Sequence, residues 1–124
     1  MSRGSADDRL GLRAHEAAGA FEADLFAEAV LDLVAQIPPG RVMSYGSIAA
    51  TLGSRASRQV GKVMKHGGAD VPWWRVVHSD GRAADGHEAE AREHFDAEGT
   101  PLRVTPGGYR VAMRQADWSP DFRA

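Results

Sequence analysis

Glycine and proline divide the middle of the chain into short segments, and this division limits which folds the chain can adopt. Pro38-Pro39-Gly40, Gly53 and Gly67-Gly68 interrupt the apolar pattern. Proline removes a backbone donor and restricts the residue before it, whereas glycine favours left-handed helix ends. Between the outer two breaks there is room for two short helices joined by a tight turn at Gly53. This spacing predicts a helix-turn-helix.

The first of these two helices is expected at residues 45–52, and the second follows a cap at Ser54 and runs to about His66. Ser44 and Ser54 are suited to cap them, because a serine hydroxyl accepts a hydrogen bond from the first turn. The second helix has an apolar face that consists of Ala56, Val60, Val63 and Met64. Its other face is mostly basic and consists of Arg58, Gly61, Lys62 and Lys65. The basic face is therefore expected to lie outward.

An amphipathic helix is predicted before this unit, because apolar residues recur there at three- and four-residue spacing. Its expected inward residues are Phe21, Leu25, Phe26, Ala29, Val30, Leu33, Val34 and Ile37. After the unit we expect a β-prone run over Arg75–His78 and a helix from about Glu88 to Glu98, with Ala91 and Phe95 inward.

A hairpin of residues 102–104 and 109–113 is predicted to follow that helix. The fold class is therefore mainly α with a small β component. We expect one domain over residues 21–118, a flexible N-terminal arm over 1–20 and a tail over 119–124.

Charge is distributed unevenly along the 124 residues, although the formal net charge is only -2. No carboxylate lies between Asp32 and Asp70, whereas this stretch carries five basic residues: Arg41, Arg55, Arg58, Lys62 and Lys65. Such a basic stripe is typical of a phosphate-binding face, and a solvated face without function is the alternative.

The composition excludes several classes of protein. The chain has no cysteine, which rules out disulfides and cysteine-ligated zinc and removes the usual soft nucleophile. No apolar run approaches the roughly eighteen residues that span a bilayer, and no apolar segment follows the N-terminal charges. We therefore expect a soluble, cytoplasmic protein without membrane contacts.

Four segments in order carry a family resemblance. They are Ile37-Pro38-Pro39-Gly40-Arg41-Val42, Ser44-Tyr45-Gly46-Ser47-Ile48-Ala49, Arg58-Gln59-Val60-Gly61 and Pro72-Trp73-Trp74-Arg75-Val76-Val77. Together they resemble the O6-alkylguanine-DNA alkyltransferases, whose active-site motif is Pro-Cys-His-Arg-Val-Val. Trp73 stands at the alkyl-acceptor cysteine, so the chain looks like an alkyltransferase-like protein of that superfamily. The resemblance implies a winged helix-turn-helix domain like the transferases' C-terminal domain, without their separate N-terminal domain.

The resemblance also implies roles for individual residues in DNA binding. In the family the recognition helix enters the minor groove, an arginine fills the gap left by a flipped guanosine, and a tyrosine helps to rotate the phosphate. Arg58 and Tyr45 match these positions, and Gly61 would allow close approach of the backbone. The expected DNA-binding residues are Arg58, Tyr45, Ser57, Gly61, Lys62, Lys65 and Arg75.

The predicted lesion pocket consists of Trp73, Tyr45, Pro72, Trp74 and Arg82, the last as a loop arginine directed at the lesion. An indole cannot accept an alkyl group by displacement, but it can pack against an alkylated purine. Two adjacent tryptophans are also common core residues, and one could line the pocket while the other packs beneath it. Trp118 could close over the pocket or anchor the C-terminus.

The transferases' proton relay is expected to be absent. Trp74 replaces the histidine that takes the proton from the thiol. Glu98 matches the carboxylate that orients that histidine, and it should serve only structural hydrogen bonds. No catalytic residue is therefore predicted.

A group of histidines and carboxylates needs separate assessment as a metal site: His78, Asp80, Asp85, His87, Glu88 and His94. Imidazole and carboxylate suit zinc or manganese. The spacing does not fit, because Ala91 stands where a zincin needs its second histidine. We expect an exposed loop with no metal and no cofactor.

These observations favour a non-enzymatic sensor that binds O6-alkylguanine in double-stranded DNA by nucleotide flipping. By resemblance, the complex would mark the lesion for nucleotide excision repair proteins, and we expect a monomer. One alternative is a winged-helix regulator or architectural protein without lesion selectivity. Another is an enzyme with a histidine or carboxylate centre.

Overall fold

The computed structural model describes residues 22–120, so the predicted N-terminal arm and most of the predicted tail lie outside the described residues. The first helix, α1, covers residues 22–36 and ends before Pro38, as expected from the loss of backbone donors. Its C-terminal half buries Val30 and Val34, and Ile37, which directly follows it, is buried as well. The inward prediction is wrong for Leu25, which is 49% exposed, because the packing of α1 on the core begins only at Phe26.

Strand β1 (Met43–Ser44) leads directly into helix α2 (Tyr45–Thr51), and the predicted serine cap is confirmed. The Ser44 Oγ accepts a hydrogen bond from the Ser47 backbone N at 3.0 Å. Gly53 follows α2 with φ +73°, the left-handed conformation that ends helices and favours glycine.

Helix α3 (Ser57–Gly67) begins two residues later than the predicted cap at Ser54 implies. The Ser54 hydroxyl accepts from the Ala56 backbone N at 3.0 Å, and this local turn keeps residues 54–56 out of the helix. Ala56 is the residue before the first turn, and its side chain makes no capping bond. Helices α2 and α3 with the turn between them form the predicted helix-turn-helix.

Two short 3-10 helices, Gly68–Asp70 and Trp73–Arg75, connect α3 to strand β2 (Val76–Val77). The β-prone run is therefore shorter than predicted, since Arg75 is helical. Strand β2 pairs in parallel with β1, with Met43 opposite Val76 and Ser44 opposite Val77. This pairing brings the start of α2 beside the residues that follow β2.

Helix α4 (Glu88–Glu98) has the predicted bounds, buries Ala91 and Phe95, and ends at Gly99 with φ +70°. Strands β3 (Leu102–Thr105) and β4 (Gly108–Val111) form the predicted antiparallel hairpin. The second strand stops before residue 113, because Met113 begins the short helix α5 (Met113–Ala116). No helix within residues 22–120 is long and apolar enough to cross a membrane.

The core has two parts. One joins α1, α2, α3 and β2, and the other joins β2, α4 and β4. Trp118 packs against the first part, and its backbone N donates to the Val42 carbonyl at 2.8 Å. Of the two roles considered for this tryptophan, the structure shows the anchor.

Candidate nucleic-acid interface

A cleft of about 740 Å³ opens between α3 and the chain that leads into α4. This volume lies within the range of small-molecule pockets. One side, here called the α3 wall, consists of Ser57, Arg58, Gly61, Met64 and Lys65. The other side, the loop wall, consists of His78, Ala84, Asp85, His87 and Glu90. Tyr45, Gly68, Ala69 and Trp73 complete the lining.

The α3 wall contains four of the residues predicted to bind DNA: Ser57, Arg58, Gly61 and Lys65. The Arg58 residue is exposed, and its side chain makes no hydrogen bond or ion pair with any residue between 22 and 120. A Cβ added to Gly61 would meet no atom within 4 Å, so the helix surface is open there. Lys62 is exposed on the same helix but does not line the cleft. The basic groups of this wall are thus available to a ligand.

Trp73 is half-buried and lines the cleft between the two walls. Its ring centroid lies 5.5 Å from that of His87 and 5.8 Å from that of His94. Trp74 packs edge-on against it, with the two rings at 88°. These neighbours hold the Trp73 indole in place at the cleft surface.

Trp74 and Pro72, both predicted in the pocket, do not line the cleft. The Trp74 ring stacks on the His94 ring at a centroid distance of 3.7 Å and an angle of 7°. Its indole Nε1 donates a hydrogen bond to the Glu98 Oε1 at 3.0 Å. An indole N–H is a donor only, so this contact keeps the carboxylate partnered without providing a base.

Arg75 was predicted to bind DNA, but its side chain is engaged inside the protein and only 13% exposed. Its Nε donates to the Glu98 Oε1 at 3.1 Å, and its Nη1 donates to the Ile37 carbonyl at 2.8 Å. The guanidinium therefore joins the residue that follows α1 to the last residue of α4. The DNA-binding role is corrected here to a structural one.

Glu98 accepts hydrogen bonds from three parts of the chain, as its predicted structural role requires. Besides Trp74 and Arg75, the Gly40 backbone N donates to its Oε2 at 3.0 Å. Burial alone would raise the pKa of Glu98, but the hydrogen bonds from Arg75, Gly40 and Trp74 and the Arg75 charge outweigh it and lower that pKa. The ionised carboxylate is thus the form that the fold stabilises.

Replacing Glu98 with glutamine should lower the free energy of unfolding by about 2 kcal/mol, because Arg75 loses its charged acceptor inside the protein. Because the pKa of Glu98 is lower in the folded than in the unfolded protein, its ionised carboxylate stabilises the wild type. This contribution is fully present above the unfolded pKa, near 4.3, and is lost as the pH falls through the folded pKa. Urea denaturation between about pH 3 and pH 7 measures both effects. If the free energy of unfolding depended on pH equally in wild type and E98Q, this role of Glu98 would be contradicted. The control is Glu93→Gln, which removes an exposed carboxylate from the same helix.

Arg82 was predicted to reach the lesion, but it does not line the cleft. Its Nε donates to the Asp80 Oδ2 at 2.9 Å, within the turn that follows β2. It lines instead a second cavity of about 350 Å³ beside the hairpin. Arg82 does not reach the cleft because the tight turn after β2 brings Asp80 within hydrogen-bond distance of its guanidinium.

The loop wall was missed as part of the site, because His78, Asp85 and His87 were considered only as metal ligands and Ala84 and Glu90 were not considered at all. The His78 Nε2 lies 3.1 Å from the Asp85 Oδ1, and the His78 ring lies 5.3 Å from the Tyr45 ring. Burial, followed by the Asp85 charge, raises the pKa of Tyr45. Parallel pairing of β1 with β2 creates this cluster, and no local pattern could have indicated it.

The remaining histidines of that group are separated from one another. The His87 Nδ1 lies 3.8 Å from the Glu90 Oε1, whereas His94 stacks on Trp74. Within the described part of the chain, no three histidines or carboxylates are placed to hold a metal ion.

A helix-turn-helix with a cleft beside its basic helix defines a class of small DNA-binding domain, and comparisons with known proteins specify it further. Residues 25–100 match the family "6-O-methylguanine DNA methyltransferase, DNA binding domain". Alkyltransferase-like protein 1 of Schizosaccharomyces pombe is 35% identical over 105 residues, which cover 78% of this chain and 97% of that protein. A DNA base-flipping protein of Vibrio parahaemolyticus is 32% identical over 102 residues, which cover 78% and 99%.

The solved structures agree with the sequence matches. The crystal structure of S. pombe Atl1 in complex with damaged DNA containing O6-carboxymethylguanine has a TM-score of 0.68 and 33% identity to this chain. It covers 78% of this chain and 97% of that one. The chain therefore belongs to the alkyltransferase-like proteins, which are built on the methyltransferase DNA-binding domain. The predicted family and fold class are confirmed.

Proposed function

We propose that this protein recognises O6-alkylguanine in double-stranded DNA by flipping the nucleotide into the cleft, and that it does not transfer the alkyl group. The observation that carries the proposal is the position of Trp73, which lines the cleft and stands in the motif where the transferases have their cysteine. The relatives named as alkyltransferase-like and base-flipping proteins, one of them bound to damaged DNA, support it.

Helix α3 provides the surface for the minor groove. Arg58 lies at the edge of the cleft without a partner among the described residues, so its guanidinium can fill the space that a flipped base leaves in the stack. Lys62 and Lys65 supply charge for the phosphates, and Ser57 and Gly61 allow close approach. Tyr45, which also lines the cleft, would contact the rotated nucleotide.

Binding in the cleft takes the place of chemistry. Stacking on an aromatic ring contributes roughly 1–3 kcal/mol per base, which offsets part of the few kcal/mol spent on unstacking. Trp73 offers such a ring. A stable, unreacted complex would mark the lesion for nucleotide excision repair proteins. We expect the protein to be a cytoplasmic monomer that associates with the chromosome when it binds DNA.

Titration of two fluorescent duplexes, identical except for one O6-methylguanine in place of guanine, tests this function. We expect the lesion duplex to bind at least tenfold more tightly, because an alkylated pair costs less to open. Equal affinities would instead support the regulator or architectural protein. Intact O6-methylguanine should be recovered afterwards, with and without divalent metal, whereas base release, strand cleavage or dealkylation would show an enzyme.

Restoring the nucleophile alone should not restore alkyl transfer. In Trp73→Cys the base of the transferases' relay is missing, because Trp74 replaces the histidine and its indole donates to Glu98. The rings of His87 and His94 lie near position 73, but neither histidine is hydrogen-bonded to Glu98. Mass spectrometry after incubation with O6-methylguanine DNA should show unmodified protein. Stoichiometric methylation of this single variant would contradict the relay argument, and W73C/W74H is the matched comparison that returns an imidazole beside Glu98.

A further inference from the structure

The two walls of the cleft carry opposite charges. Arg58 and Lys65 belong to the α3 wall, whereas Asp85 and Glu90 belong to the loop wall. No lysine or arginine is among the loop-wall residues of the cleft, since the nearby Arg82 pairs with Asp80. A ligand in the cleft therefore meets cations on one side and carboxylates on the other.

Each carboxylate lies near a histidine of the same wall. The His78 Nε2 lies 3.1 Å from Asp85, and the His87 Nδ1 lies 3.8 Å from Glu90. A neutral imidazole can orient a carboxylate, but it does not cancel its charge. Tyr45 also lines the cleft, and burial, followed by the Asp85 charge, raises the pKa of its hydroxyl.

The chemistry of guanine determines which wall the adduct meets. O6 lies on the edge of the purine away from the nitrogen that carries the sugar. If the sugar-phosphate backbone is held along the basic α3 wall, that edge enters the cleft facing the loop wall. The alkyl substituent on O6 is then the part of the lesion nearest to Asp85 and Glu90.

We infer that the loop wall selects among O6-alkyl groups by charge, favouring cationic over neutral and neutral over anionic adducts. The inference rests on the proposed lesion-binding function and specifies its ligand class. It makes Asp85 and Glu90 residues that determine specificity. Both side chains are largely exposed, at 80% and 68%, so solvent screens each charge and limits its effect to about threefold in affinity at cleft distances.

The test compares duplexes that each contain one O6-substituted guanine: 2-aminoethyl, carbamoylmethyl, carboxymethyl or methyl. Carbamoylmethyl and carboxymethyl have nearly the same shape but differ by one charge. At about pH 8, where ordinary imidazoles are neutral, we expect carboxymethyl to bind roughly tenfold more weakly than carbamoylmethyl, and aminoethyl to bind most tightly.

Variants assign the effect to the wall. In D85N/E90Q the ratio of carbamoylmethyl to carboxymethyl affinity should fall to about twofold or less. In D24N/E93Q, which removes the same charge from exposed positions outside the cleft, the ratio should stay as in wild type. Equal affinities for the two adducts in wild type, or a tenfold ratio that persists in D85N/E90Q, would overturn the inference.

The methyl duplex separates this inference from the proposed function. Tight binding of O6-methylguanine relative to guanine, without discrimination by charge, would refute only the role of the loop wall. Equal binding of O6-methylguanine and guanine would refute the proposed function itself.

Discussion

Replacing Arg58 with alanine should weaken binding to an O6-methylguanine duplex by roughly 30- to 100-fold, while leaving the fold intact. The guanidinium has no partner among residues 22–120, so its removal disturbs no described contact of the free protein. In the complex it would hydrogen-bond the orphaned cytosine and fill the gap in the stack. Loss of such a charged hydrogen bond costs about 2–3 kcal/mol.

The control for Arg58 is Arg114→Ala, which removes an exposed arginine from α5, away from the cleft. Both variants lose the same charge, so a general electrostatic effect would weaken both about equally. Fluorescence anisotropy with lesion and unmodified duplexes measures the two affinities. Unchanged lesion binding by R58A, or an equal loss in R114A, would show that Arg58 does not act at the flipped base.

Replacing Gly81 with alanine should lower the free energy of unfolding by about 3 kcal/mol or more. The residue has φ +89°, and an added Cβ would lie 2.3 Å from the Val111 carbonyl oxygen. That neighbour is backbone of β4, and the Val111 N also donates to the Gly81 carbonyl at 2.8 Å. The strand must therefore move, and the bond between turn and hairpin breaks.

Gly86→Ala is the matched control, because Gly86 has nearly the same φ without the clash. Its φ is +81°, and an added Cβ would meet nothing within 4 Å. Only the cost of a left-handed alanine, about 1–2 kcal/mol, should appear. Urea denaturation compares the two variants. A loss in G81A no larger than in G86A would contradict the close contact between turn and strand.

Local patterns predicted the helices well. The Ser44 cap, the bounds of α4 and the left-handed end at Gly99 all depend on neighbouring residues. The start of α3 was predicted too early, because the Ser54 hydroxyl can cap either a helix or a local turn and here stabilises the turn. Sequence spacing alone does not distinguish these two uses of a serine.

The parts of the site that sequence did not predict depend on contacts between distant segments. Arg75 carries a charge beside the tryptophans, but Glu98, 23 residues later, binds it. His78 and Tyr45 meet because β1 and β2 pair across more than thirty residues. A sequence motif shows which residue types stand at which positions. The contacts of Arg75 with Glu98 and of His78 with Tyr45 depend instead on how α4 and the two strands pack.

The central claim, that the flipped lesion enters the cleft against Trp73, can be measured through the fluorescence of that indole. The chain has three tryptophans, so W74F/W118F retains only Trp73, and W73F/W118F retains only Trp74. Titration with an O6-methylguanine duplex should strongly quench Trp73 and leave Trp74 nearly unchanged, and the matched guanine duplex should quench neither at equal saturation. Lesion binding that leaves Trp73 emission unaltered would contradict the account.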